Sequence, residues 1–201
     1  MNFLQSISWE KFQQSLGRQT FRDQGDDWSY LAILEKGRGN TRLYCPYGPE
    51  AISEKAMTQA IDSLTRLARQ HKATFIRVEP TDSLLLPYLK QSGFKKVNYQ
   101  SLNPEHTSII DLAKDKDDLI AAMSQPVRNI YRNYQKKGFH VNKSTNPNDI
   151  DKFLTLIHQV SERTGMQPHS DKYFRSQAAS LLPDGSATLW LATLGDITIA
   201  A

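Results

Sequence analysis

Residues 126–141 read PVRNIYRNYQKKGFHV. Val127, Ile130, Tyr131 and Tyr134 recur at the spacing that places them on one helical face. Arg128, Arg132 and Lys136 stand four apart and share another face. Gly138 ends the helix, because glycine takes the left-handed conformation at little cost, and a strand follows directly. No acid occurs between Asp118 and Asp149, whereas Arg128, Arg132, Lys136, Lys137 and Lys143 all fall in that window. Unopposed positive charge beside tyrosines suits a phosphate-rich partner. A solvated basic helix packed on a sheet has the same pattern, so both readings stand at this point.

Working outward, the C-terminal side continues as alternating helix and strand. Asn146-Pro147-Asn148-Asp149 caps a helix over 150–163 with Phe153, Leu154, Ile157 and Val160 on its apolar face, and Gly165 closes it. A further helix covers 171–182, and 187–201 reads as two strands around Leu194-Gly195-Asp196. The chain stops at Ala201 inside an apolar strand pattern, which predicts that the second domain lacks its C-terminal half.

The N-terminal side predicts a helix from about Ser8, with Ser8 as its cap. SYLAILEK and TRLYCPYGP read as a strand hairpin turning at Gly37–Asn40. An amphipathic helix follows over 53–72, with Ala56, Ala60, Leu64, Leu67 and Ala68 on one face and Ser53 as cap. ATFIRVE is a strand stopped by Pro80, 84–92 a short helix closed by Gly93, and 94–102 another strand. TSIIDL at 107–112 starts a new strand, and 117–123 a helix. Asn103–Pro104 is a turn between the two halves, which predicts an α/β protein of two similar units, 1–104 and 105–201.

Composition bounds the function. The 201 residues are 39% hydrophobic and 23% charged, enough to bury a core. A net charge of +4 permits anionic partners without demanding them. The single cysteine, Cys45, excludes a disulfide framework and a cysteine zinc site, and points to a reducing compartment. The five histidines show no metal-ligand spacing. MNFLQSISWEKF lacks the pattern of a signal peptide, and no apolar run reaches the roughly 20 residues that cross a bilayer, so any membrane contact is peripheral. No nucleophile elbow, phosphate-binding P-loop or dinucleotide fingerprint is present.

One segment carries candidate chemistry. Arg77-Val78-Glu79-Pro80 ends a strand, where ligands of open α/β sheets gather, and Pro80 turns the chain just after the carboxylate. Glu79 can contact or deprotonate an amine. An arginine and a glutamate that merely satisfy a strand end give the same sequence. Tyr44, Pro46, Tyr47, Gly48 and Pro49 form a rigid aromatic loop that either walls a pocket or packs. Acetyl-coenzyme A would need a pyrophosphate loop between a strand and a helix. The nearest matches, 22–27 and 135–140, fail that pattern, so coenzyme A is disfavoured and no cofactor is expected.

An ordered set of segments now lines up: FLQSISWEKFQQSLG at 3–17, PYGP at 46–49, RVEP at 77–80, SGFKK at 92–96, TSIIDL at 107–112, PVRNIYRNYQKKGFHV at 126–141 and RTGMQPHSDKYF at 163–174. The set resembles the FemABX family of peptidoglycan interpeptide-bridge aminoacyltransferases, over essentially the whole chain. The resemblance implies tandem acetyltransferase-like (GNAT) domains, the second truncated. It implies transfer of an aminoacyl group from aminoacyl-tRNA to the third-residue amine of a peptidoglycan stem peptide, on lipid II or its nucleotide-linked precursor, UDP-MurNAc-pentapeptide. Such a protein is cytoplasmic and works toward the inner face of the cell membrane. By position, Glu79 matches an acidic residue near the acceptor peptide, with Arg77 and Pro80 as its neighbours. The family's acceptor-phosphate grip falls near Lys11 and near His169, ahead of Tyr173 and Phe174, and neither match is clean. The basic face of Arg128, Arg132, Lys136 and Lys137 would receive tRNA or acceptor phosphates. An acyltransferase with another donor, acetyl-CoA included, and a non-catalytic anion- or RNA-binding module are the competing readings.

Overall fold

A computed structural model describes residues 2–97, 102–104 and 106–201. The chain divides into two compact units, Met1–Asn103 and Pro104–Ala201.

The first unit opens on helix α1 (Ile7–Ser15). Its cap is Ser6, not Ser8: Ser6 has extended backbone and its Oγ accepts from Trp9 N at 3.1 Å. Ser8 already lies inside the first turn, where a cap cannot act. Strand β1 (Gln19–Gln24) follows and pairs antiparallel with β2 (Trp28–Lys36). β2 pairs antiparallel with β3 (Thr41–Cys45) across the expected Gly37–Asn40 turn. A two-residue strand β4 (Glu50–Ala51) pairs with the start of β2. Helix α2 (Glu54–Gln70) then crosses over, capped by Ser53, and delivers β5 (Phe75–Val78) parallel to β3. A 3-10 turn and helix α3 (Leu86–Gln91) follow, ended by Gly93 at φ +86°. The sheet order is β1-β2-β3-β5.

Tyr30 to Leu34 of β2 are buried on both faces. Tyr30, Ala32 and Leu34 pack with Leu43 and Cys45 against Met57, Ile61, Leu64 and Ala68 of α2. Each large apolar side chain so buried contributes about 1.5–3 kcal/mol. Tyr30 Oη meets Ser63 Oγ at 2.9 Å, and Ser63 donates to Asp23, which satisfies the polar groups inside this layer.

In the second unit, helix α4 (Lys116–Ala122) and helix α5 (Gln125–Asn133) lead through a 3-10 turn to Gly138 at φ +78° and strand β6 (Phe139–Ser144). Helix α6 (Ile150–Thr164) ends at Gly165, also left-handed, and α7 (Asp171–Leu181) packs beside it through Phe153 and Phe174, 5.0 Å apart edge to face. Strands β7 (Leu189–Leu194) and β8 (Ile197–Ala200) complete an antiparallel sheet β6-β7-β8.

Two expected strands differ. Residues 107–112 have no regular structure, and Ile109, Ile110 and Leu112 are exposed. An apolar run becomes a strand only where an edge pairs with it, and no described strand does. Of the strand expected at 94–102, residues 94–97 and 102 are irregular, and 98–101 lie outside the described residues. Among the described residues, no helix is long and apolar enough to cross a membrane.

Candidate functional site

Arg77 on β5 and Tyr44 on β3 are register partners across the parallel pair. Both side chains reach Glu79, which follows β5. Arg77 Nε and Nη2 donate to Glu79 Oε1 at 3.0 and 2.9 Å. Tyr44 Oη donates to Oε2 at 2.8 Å, and Asn103 Nδ2 donates to the same oxygen at 2.6 Å and to Tyr44 Oη at 2.8 Å. Glu79 keeps 18% of its side chain exposed and Arg77 14%, so the carboxylate is screened yet reachable from solvent. Burial pushes the Tyr44 hydroxyl above the ordinary tyrosine range, and its hydrogen bond to Glu79 pushes the same way. Tyr44 therefore stays protonated and donating at physiological pH.

The loop after β3 holds the backbone of this site. Glu79 N donates to Gly48 O at 3.0 Å and to Cys45 O at 3.3 Å. Pro46 and Pro49 are fully buried, and the Gly48–Pro49 peptide is cis. The aromatic loop is thus packing that also positions Glu79. Gln5 braces it from behind. Its Nε2 donates to Pro46 O at 2.5 Å, and its Oε1 accepts from Leu31 N at 2.6 Å, filling the gap on β2 between the stretches that pair with β3 and β4.

The other sequence-predicted residues stand elsewhere. Lys11 is exposed on α1. In the second unit, His169 is exposed and stacks on Tyr173 with ring centroids 4.1 Å apart, and Phe174 meets both edge to face. Arg128 turns back on α4, donating to Ala121 O at 2.7 Å and Met123 O at 2.6 Å. It satisfies the open carbonyls at that helix end. Arg132, Lys136 and Lys137 are exposed. Because α5 ends at Asn133, Lys136 lies in the tighter 3-10 turn rather than one helical turn beyond Arg132. Sequence reading missed Lys116, whose Nζ lies 5.9 Å from the Tyr131 ring centroid; the hydrogen bond to Tyr131 pushes its pKa up. It missed Tyr44 and Asn103 as partners of Glu79. The only hint was the tyrosine and proline content of the loop.

The segment 22–27, weighed above as a phosphate loop, is the β1–β2 hairpin: Gly25 N bonds Trp28 O at 2.9 Å. No helix N-terminus follows it. Among the described residues, no group of three metal-ligating side chains is close enough to hold an ion.

The fold and site define a mixed α/β protein of two units, whose first unit presents a carboxylate at the C-terminal end of a parallel strand. The chain belongs to the FemAB family, whose sequence profile matches residues 86–195. It is 26% identical over 150 residues to the lipid II:glycine glycyltransferase of Staphylococcus saprophyticus subsp. saprophyticus, covering 69% of this chain and 36% of that protein. A crystal structure of FemX shares the fold, with a TM-score of 0.81 and 22% identity over 96% of this chain and 53% of that one. The chain therefore spans about a third to a half of the relatives it matches.

Proposed function

We propose that this chain is part of an aminoacyltransferase that builds the peptidoglycan interpeptide bridge. The donor is aminoacyl-tRNA, and the acceptor is the stem-peptide amine of lipid II or UDP-MurNAc-pentapeptide. The single observation that carries the reading is the Glu79 carboxylate. It is held by Arg77 and Tyr44 at a partly exposed strand end, in a family whose curated relative is named for glycyl transfer to lipid II. An aminoacyl ester is already activated, so the protein chiefly has to orient an amine and stabilise charge. The nitrogen–carbon bond forms, the ester carbon–oxygen bond breaks, and the amine's proton ends on the departing ribose oxygen.

In this reading Glu79 receives the amine and Arg77 fixes its carboxylate. Lys11, His169 and Tyr173 serve the acceptor. Arg132, Lys136 and Lys137, with Lys116 beside them, face tRNA or acceptor phosphates, while Arg128 supports α4. The two units, 1–104 and 105–201, are tandem acetyltransferase-like domains. The protein works in the cytoplasm, toward the inner face of the membrane.

The test is transfer of labelled amino acid from charged tRNA to a lysine-containing stem-peptide precursor by the complete protein, with acetyl-CoA as parallel donor. Glu79→Ala is expected to lower transfer on the order of 100-fold while the protein stays folded. Transfer from acetyl-CoA alone would refute the donor, and an unchanged rate in Glu79→Ala would remove that residue from the site.

A further inference from the structure

We infer that the side-chain amide of Asn103 occupies the position that a primary amine takes on Glu79, and that the amine binds by displacing it. The inference rests on the reading of Glu79 as the amine-contacting carboxylate. An ionised carboxylate offers about four lone-pair sites. On Glu79 all four are filled: two by Arg77, one by Tyr44 and one by Asn103. An incoming ammonium group therefore cannot simply add to this carboxylate. It has to replace one of the donors already there.

The four donors are unequal. Arg77 and Tyr44 are anchored on adjacent strands of the sheet, directly opposite one another. The Arg77 bonds are also charge-assisted, about twice as strong as neutral ones. Asn103 is neutral, stands on no helix or strand, and its side chain bonds only Tyr44 and Glu79 among the described residues. It is the donor most readily exchanged.

The geometry also matches the replacement. Asn103 Nδ2 is a nitrogen bearing two hydrogens, placed 2.6 Å from Glu79 Oε2 and 2.8 Å from Tyr44 Oη. An ammonium nitrogen in that place makes the same two bonds, now to a carboxylate from a charged donor. Its third hydrogen or its carbon chain points away from both. The site so defined takes a primary amine on a flexible chain. It rejects a quaternary ammonium, which carries the charge without an N–H group.

The experiment follows the Asn103 side-chain amide by NMR in the 15N-labelled, unaltered protein, with the resonance pair assigned by its loss in Asn103→Ala. n-Butylammonium is the probe and butyltrimethylammonium the control. The expected result is a saturable shift of the Asn103 pair toward the position of a free amide with the primary amine alone, abolished in Glu79→Gln. Asn103→Ala is expected to bind n-butylammonium about fivefold more tightly, because the competing hydrogen bond is gone. In the transfer assay the same variant is expected to lower KM for the acceptor. An Asn103 pair that does not move at high n-butylammonium, or an Asn103→Ala variant that binds it no better than the parent, overturns the inference. If Glu79→Ala abolishes transfer while the Asn103 pair stays fixed, only the inference fails. If Glu79→Ala transfers normally, the reading of Glu79 as the amine-contacting carboxylate fails, and the amine titration still decides whether the exchange takes place.

Discussion

Gly48 shows how much of the site depends on a single residue. A Cβ built there would lie 2.9 Å from both Cys45 Sγ and Gln5 Nε2, and both neighbours are buried. Neither can swing away, since Gln5 is tied to Pro46 and Leu31. Gly48→Ala is expected to cost about 1–3 kcal/mol by overpacking, read as a lower urea midpoint. It is also expected to lower transfer, because Gly48 O holds the Glu79 backbone. Tyr44 gives a second test at this scale. Its hydroxyl pKa is raised in the folded protein, chiefly by burial, and the same holds for Tyr30 and for the Cys45 thiol. A raised folded pKa means the contribution is full below the unfolded value and lost as pH rises toward the folded one. Stability should therefore hold through neutral pH and fall above about pH 10 for the tyrosines, following their unfolded value. Tyr44→Phe should lose about 2 kcal/mol near neutral pH, where a hydrogen bond to a charged group is removed. It should also soften the alkaline decline, and urea titrations at pH 7 and above pH 10 measure both.

At the level of helices and strands, what was legible depended on whether the pattern is local. Helix α2 was legible because burial of Ala56, Ala60, Leu64 and Ala68 follows its 3.6-residue period. The run from α5 through Gly138 into β6 was legible from the helical spacing of its apolar residues and its left-handed glycine, although Val127 and Ile130 on that expected face are exposed. Strand β1 was not: QTFRDQ is largely polar, and as an edge strand exposed over most of its length it has no need of alternation. Residues 107–112 gave the opposite error, an apolar pattern without a pairing edge. The site followed the same rule. Arg77 and Glu79 are two residues apart and were readable. Tyr44 is 35 residues and Asn103 24 residues from Glu79, joined to it only through the fold. The basic helix gives the prediction at this scale. Arg128→Ala should chiefly destabilise α4, whose end carbonyls it satisfies, and leave the salt dependence of the proposed tRNA binding nearly unchanged. Arg132→Ala or Lys137→Ala should each reduce the slope of log affinity against log salt by about one. Fluorescence anisotropy across a salt series, with helix content followed by circular dichroism, separates the two effects. Equal slopes for all variants would leave the helix a solvated surface.

The two units differ most in how much apolar surface each buries for itself. The first encloses a core cluster that runs from Tyr30 to Leu89, and Phe12, Leu31 and Ile33 are buried as well. In the second, Leu154, Ala178, Leu181, Leu182 and Leu191 are the buried hydrophobic residues among those described. Val127 and Ile130 on α5, Trp190 and Leu194 on β7, and Ile197 and Ile199 on β8 remain exposed. Stability is a small difference between large terms, and apolar burial is the largest favourable one. The second unit should therefore open at lower denaturant than the first in this 201-residue chain. Hydrogen exchange in a urea series checks this directly, comparing amides of β2 and β3 with those of β6 and β7. The thiol of Cys45 gives an independent reading of the first unit, because it is fully buried and its pKa is pushed up by that burial. It should react with a thiol reagent only when the first unit opens. The expected order is loss of protection in β6 and β7 first, with Cys45 still unreactive, then β2, β3 and Cys45 together. Coincident loss at all these positions would mean that the chain unfolds as one cooperative body and that the smaller core of the second unit does not set its stability.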